Sequence, residues 1–267
     1  MPQDRPLEGI AVGISISEAE DLGTRGFRPS DIPFFTVELC RRLVALGAQV
    51  VLGHQWRPGG IMEQVTRFAQ AYRIESGALQ QPIVHNVLAW PDKAALSHHD
   101  REQLKDLVKV YEPEGPRGRA EALTAMRQQI TEIANARICL SGKRESYNGS
   151  MPGVIEEALL SMRKGQPVYV STMMGGAAAS LVECIQGRLE LGAVLPHAEQ
   201  LPPEVRRYFD SGPETENEKA FARLCQLRLN ELTELFEAQT LDSIVQLSVR
   251  GMSRLNGTLS DWQPNRF

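Results

Sequence analysis

Short apolar runs alternate along the chain with stretches in which apolar residues recur every three or four positions, the pattern of strands alternating with amphipathic helices. Residues 9–17 form the first run, with Ile10, Val12, Ile14 and Ile16 set between small or polar neighbours. A polar loop follows as far as Pro33, after which Phe35, Leu39, Leu43 and Leu46 share one helical face and Gly47 closes the helix. Residues 48–54 predict a second strand. Met62, Val65, Phe68 and Ala69 predict a shorter helix after Gly59 and Gly60, and residues 83–90 a third strand. Residues 91–117 read as an insertion holding one charged helix around 100–110 and a Pro/Gly loop. Leu123, Met126, Ile130 and Ile133 then mark a helix that begins near 119. Residues 137–141 predict the fourth strand, residues 152–164 a helix with proline in its first turn, and 167–171 the fifth strand. A Gly-rich loop and helix occupy 175–185. Beyond Pro202 and Pro203 the rhythm changes: Phe221, Cys225, Leu229, Leu232 and Phe236 predict one amphipathic helix, and 241–255 another.

Strands that alternate with helices imply an α/β class, a Rossmann-like parallel sheet with helices on both faces. The boundaries that follow are a sheet domain over 1–200, with its helical insertion at 91–117, and a helical C-terminal extension over 201–267. The extension packs either on the sheet or on a second subunit. Hydrophobic residues at 42% and charged residues at 23% exclude wholesale disorder in a chain of 267 residues. With 29 Lys+Arg against 33 Asp+Glu, the net charge of -4 argues against a protein that coats nucleic acid, though not against one that binds a small anion.

Cys40, Cys139, Cys184 and Cys225 are scattered among apolar residues, which predicts buried thiols and a reducing compartment. The N-terminal residues lack a charged-then-apolar signal, and no run approaches the length of a membrane span, so a cytoplasmic location without membrane association is expected. The sequons at Asn148 and Asn256 then read as turns. No H-E-x-x-H, Walker A, G-x-S-x-G or G-x-G-x-x-G stretch occurs, and neither a metal nor a cofactor is expected.

Ligands of an open parallel sheet collect at the carboxyl ends of its strands, where Gly-rich loops enter helices. Four such places stand out: Ser15 and Ser17 after the first strand; Arg57, Gly59 and Gly60 after the second; Ser141, Gly142, Lys143, Gly149, Pro152 and Gly153 after the fourth; Gly175 and Gly176 after the fifth. Glycine lets backbone N–H groups close on phosphate oxygens, and a helix N-terminus adds positive potential. Lys143 and Arg144 are natural phosphate partners or a solvated loop. Glu156 and Glu157 stand in the first turns of a helix, where carboxylates suit the dipole. A ligand-facing carboxylate would instead address ribose hydroxyls, and adjacent helical residues point about 100° apart, so one of the two faces the ligand. Arg127 lies on the apolar stripe of its helix, either in a buried ion pair or in a binding site.

The stretch 119–185 resembles the SLOG superfamily, the Rossmann-like group that contains the lonely-guy phosphoribohydrolases and DNA-processing protein A. Met126-Arg127, Arg137-Ile138, Gly142-Lys143, Pro152-Gly153 with Glu156-Glu157, Pro167-Val168-Tyr169 and Gly175-Gly176-Ala177-Ala178 carry the likeness. It is most similar to the stand-alone SLOG cluster of bacterial conflict and signalling genes. Residues 9–68 are compatible with the family's first two strand–loop units, and the C-terminal helices lie outside the likeness.

The resemblance implies recognition of a nucleotide or nucleotide-derived signal such as an ADP-ribose-type molecule, by a sensor that self-associates in a bacterial signalling or anti-phage setting. It also implies a second reading, hydrolysis of a nucleotide N-glycosidic bond with Arg127 and Glu156 or Glu157 as the catalytic pair. A third, DNA binding, is opposed by the acidic balance. Ser150, Met151 and Val154 replace two glycines and the threonine of the lonely-guy loop, so close backbone approach and a hydroxyl are lost while the acidic pair remains.

Overall fold

A computed structural model describes residues 5–76, 81–210 and 214–255. In chain order the elements are β1 (Ala11–Ser17), α1 (Asp31–Ala45), β2 (Gln49–Leu52), α2 (Ile61–Ser76), β3 (Val84–Val87), α3 (His98–Leu104), β4 (Val108–Tyr111), α4 (Arg119–Ile133), β5 (Ala136–Ser141), α5 (Gly153–Arg163), β6 (Val168–Ser171), α6 (Gly176–Ile185), α7 (Pro203–Arg206), α8 (Glu214–Leu224), α9 (Leu229–Phe236) and α10 (Leu241–Leu255). The strands form one parallel sheet in the order β4-β3-β2-β1-β5-β6, flanked by helices, which is the expected Rossmann-like α/β fold with C-terminal helices. Among the described residues six strands are present where periodicity predicts five.

The sixth is β4, which lies inside the segment read as a helical insertion. The helix there spans only His98–Leu104, fixed at its start by a capping box between Ser97 and Asp100. Val108 pairs with Val84 and Val110 with Asn86, making β4 an edge strand. An edge needs only one apolar face and tolerates Lys109, so its run is too short and too charged to register as a strand.

Contacts divide the chain into two units. The first comprises the residues up to 14, 30–135 and 148–150; the second comprises 15–29, 136–147 and those from 151 onward. In the first unit, β2 lies between β1 and β3 with Val50 opposite Val12 and Val84, and these valines are wholly buried. Burial on both faces is why these strands read as continuous apolar runs. Met126 and Ile130 of α4 pack on Val51, Val87 and Ala89. Each fully buried side chain of this size contributes about 2 kcal/mol.

In the second unit, α5 and α6 pack on β5 and β6, and α9 and α10 pack on β6. Helix α6 also meets α5 and α8, which accounts for the burial of every residue of the helix but Glu183. The C-terminal helices α9 and α10 therefore pack on the edge strand β6. Tyr169 donates its hydroxyl to the Cys225 carbonyl at 3.1 Å, and Thr172 donates its amide to the Phe236 carbonyl at 3.0 Å.

The single helix predicted through Phe221 and Phe236 is two. Gln226 takes a left-handed φ of 54° between α8 and α9, with no glycine or proline to announce the break. Glu231, buried in α9, accepts hydrogen bonds from Arg250 and Arg254 of α10. Burial opposes its charge, but the Arg254 guanidinium, the Arg228 amide and Arg250 outweigh that and bring its pKa down to about 2.

All four cysteines are buried and unbridged, as expected, and burial pushes Cys139, Cys184 and Cys225 up to about 12. The sequon at Asn256 lies outside the described residues.

Candidate functional site

The chain leaves β1 and β5 in opposite directions across the sheet, so their carboxyl ends form a topological switch point, where open α/β sheets bind ligands. The second unit holds Ser15 and Ser17 of β1, the loops after β1 and β5, and the turn into α6. The same unit holds Arg137, which lies near the amino end of β5 and has no exposed surface. Its Nε donates to Ser161 Oγ at 2.8 Å, and its Nη1 to Ser15 Oγ at 2.9 Å and Glu157 Oε2 at 2.8 Å. The Ser15 hydroxyl donates to the same carboxylate. A guanidinium survives burial only when its charge and its N–H groups are both matched, as here. Ser15 and Glu157, both nominated from sequence as ligand contacts, are bonded to this guanidinium and to each other. Arg137 itself is missed by periodicity, and its signal is a lone charge inside an apolar strand.

At the carboxyl end of β5, glycines let two backbones approach closely. Gly142 has a φ of 102°, and a Cβ there would stand 2.5 Å from Val154 Cγ2. A Cβ on Gly176 would stand 2.3 Å from the Gly142 carbonyl oxygen, which accepts the Ala177 amide at 2.7 Å. Only glycine fits at either position.

The amides nominated for phosphate have acceptors within the protein. Gly142 donates to the Ser17 carbonyl, Gly175 to Thr172 and Gly176 to Asp21 Oδ1 at 2.9 Å. Glu20 accepts the amides of Arg144 and Glu145, both at 3.1 Å. Burial opposes the Glu20 charge, but these amides hold its carboxyl below the ordinary range. Asp21 also pairs with the Arg144 guanidinium at 3.6 Å. Two carboxylates of the loop after β1 therefore lie where an anion was expected. The acidic run from Glu18 to Asp21 is the sequence signal for them.

Helix α5 differs. Pro152 is its N-cap and supplies no side-chain acceptor, and the first intrahelical bond runs from the Glu156 amide to the Pro152 carbonyl. The amides of Gly153, Val154 and Ile155 therefore lack partners within the helix. A cleft of about 650 Å³ opens here, walled by Arg144, Tyr147, Pro152, Ile155, Ser180 and Glu183. Glu156 is buried in the first turn of α5, Lys143 is exposed, and Ser141 is buried at a φ of 58°.

Arg57, Gly59, Gly60, Arg127 and Gly149 belong to the first unit. There Gly59 donates its amide to Glu63 Oε2 at 2.7 Å and Gly60 to the Arg57 carbonyl at 2.9 Å. Arg127 is buried in α4, and its carbonyl accepts the Thr131 hydroxyl.

The family described as SLOG cluster2 matches residues 6–118 and 109–219, most of the chain and the whole of the rim just described. This chain belongs to the SLOG cluster2 family. No curated protein matches it. Membership gives the SLOG cluster2 chain a nucleotide-related Rossmannoid role in general terms. The match ends within α8, so α9, α10 and the buried Glu231 lie beyond the SLOG cluster2 segment. No helix among the described residues is long and apolar enough to cross a membrane.

Proposed function

We propose that this SLOG cluster2 protein binds a phosphorylated nucleotide derivative, of the ADP-ribose type, and acts as its sensor in a bacterial signalling or anti-phage setting. The observation that carries this reading is the second-unit cleft, which joins Arg144 and Tyr147 to the uncapped first turn of α5. Phosphate suits those amides and the neighbouring Lys143 and Arg144, and the Tyr147 ring offers a surface to the sugar or base. Self-association of the sensor, expected from the resemblance, is part of the same proposal.

Sensing is favoured over hydrolysis by the place of Glu157, whose carboxylate holds a buried guanidinium and is costly to divert to chemistry. The test is calorimetric titration with ADP-ribose and AMP, with chromatography for released base. Saturable binding without turnover, weakened about tenfold or more by Arg144→Ala, is the expected result. Release of adenine that disappears in Glu156→Gln would instead establish an N-glycosidic hydrolase, and no binding of either phosphorylated compound would overturn the proposal.

A further inference from the structure

A second cleft, of about 320 Å³, lies wholly within the first unit, between α2 and the segment around α3. Its walls are mainly apolar, from Trp56, Pro58, Leu96 and Leu104. The indole is held in place: Trp56 Nε1 donates to Asn86 Oδ1 at 2.8 Å, and Asn86, wholly buried, donates in turn to the Leu52 and His54 carbonyls at the end of β2. With its N–H already bound, Trp56 offers the cleft only its apolar ring.

One polar group in this wall is unsatisfied. Thr66 is 7% exposed, and its hydroxyl has no hydrogen-bond partner among the described residues. A buried hydroxyl without a partner costs about 1–3 kcal/mol. In a helix, threonine commonly divides between two χ1 rotamers, so a single bond rotation can re-aim this hydroxyl. Of the two guanidinium groups in the lining, Arg67 pairs with Glu63, whereas Arg57 donates only to the neutral amide of Gln55. The cleft therefore offers an apolar wall, a threonine hydroxyl that rotation about χ1 can bring to it, and the Arg57 guanidinium at its edge.

We propose that this cleft binds a flat heteroaromatic molecule of purine size, stacked against Trp56 and hydrogen-bonded through Thr66. A volume near the small end of ligand clefts suits such a ring, and a fixed indole loses little entropy on stacking. The site is independent of the phosphate-binding reading of the second unit. It also gives the α3 segment a purpose, since that segment supplies Leu96 and Leu104.

The test is titration of the full-length protein with adenine, adenosine and guanosine, followed by calorimetry. Saturable binding is expected, weakened about three- to tenfold by Thr66→Val and more by Trp56→Leu, and left within about twofold by Arg144→Ala. Circular dichroism and thermal melting confirm that each variant is folded. Thr66→Val guards against misfolding of the Trp56 variant, because removing an unsatisfied hydroxyl leaves packing intact. No saturable binding of any of the three up to its solubility limit would overturn the proposal. So would binding that neither Thr66→Val nor a folded Trp56→Leu weakens.

Discussion

In the second unit the buried Arg137 is paired with Glu157, Ser15 and Ser161, whereas in the first unit burial disfavours the charge on His54 and His85. Burial brings both histidines down to about 4, with Lys109 adding to the effect at His85. His85 meets only Tyr111 through Nδ1, at 3.1 Å, while its Nε2 has no partner among the described residues. The two units thus solve the same problem differently. A buried cation held by a carboxylate and two hydroxyls depends on the residues around it, so it is vulnerable to substitution. A buried neutral imidazole depends on solvent pH, so it is vulnerable to acid.

Removing Arg137 should break this contrast most severely. Arg137→Ala leaves Glu157 without its counterion and should destabilise the fold by about 3–5 kcal/mol in urea denaturation. A loss below about 1 kcal/mol would mean that the network is incidental. Glu231→Gln extends the comparison to the C-terminal helices. It keeps the shape but removes the charge that Arg250 and Arg254 share, and the same denaturation assay should read a loss of about 2 kcal/mol.

Acid should separate the units. His54 and His85 have folded pKa values below their ordinary 6.5, so the unfolded chain takes up protons first and stability falls between pH 6.5 and 4. The slope approaches about 1 kcal/mol per pH unit for each. Glu231 has a folded pKa below its ordinary 4.5, so its contribution is present above that value and is lost as pH falls toward 2. Hydrogen exchange, corrected for intrinsic rates, should show protection around β3 weakening before that of α9 and α10. The reverse order would overturn this account. The smallest effect is expected from Thr66→Val, which should be neutral or stabilising by up to about 1 kcal/mol in thermal melts, because the hydroxyl it removes is unsatisfied.

The elements that were legible in the sequence are those whose signal is local. Burial on both faces makes β1, β2 and β5 predominantly apolar, and Leu39 and Leu43 mark the buried face of α1. The edge strand β4 was not legible because it needs one apolar face for four residues and carries a lysine. The turn between α8 and α9 was not legible because Gln226 adopts a conformation that its residue type does not announce. At the candidate site the glycine turns were legible as turns. Their purpose was not, because glycine is needed equally for a phosphate cradle and for the crossing of Gly142 and Gly176.

By itself the sequence determined the strand–helix alternation, the parallel sheet, the buried thiols and the family, because periodicity, composition and motif spacing are properties of neighbouring residues. Only the tertiary structure decided where each charge is matched. Ser15 lies 122 positions from Arg137, and Asp21 lies 155 from Gly176. The free energy of a buried carboxylate depends on which donors face it, and pairings at that separation are made by the sheet rather than by the order of the chain.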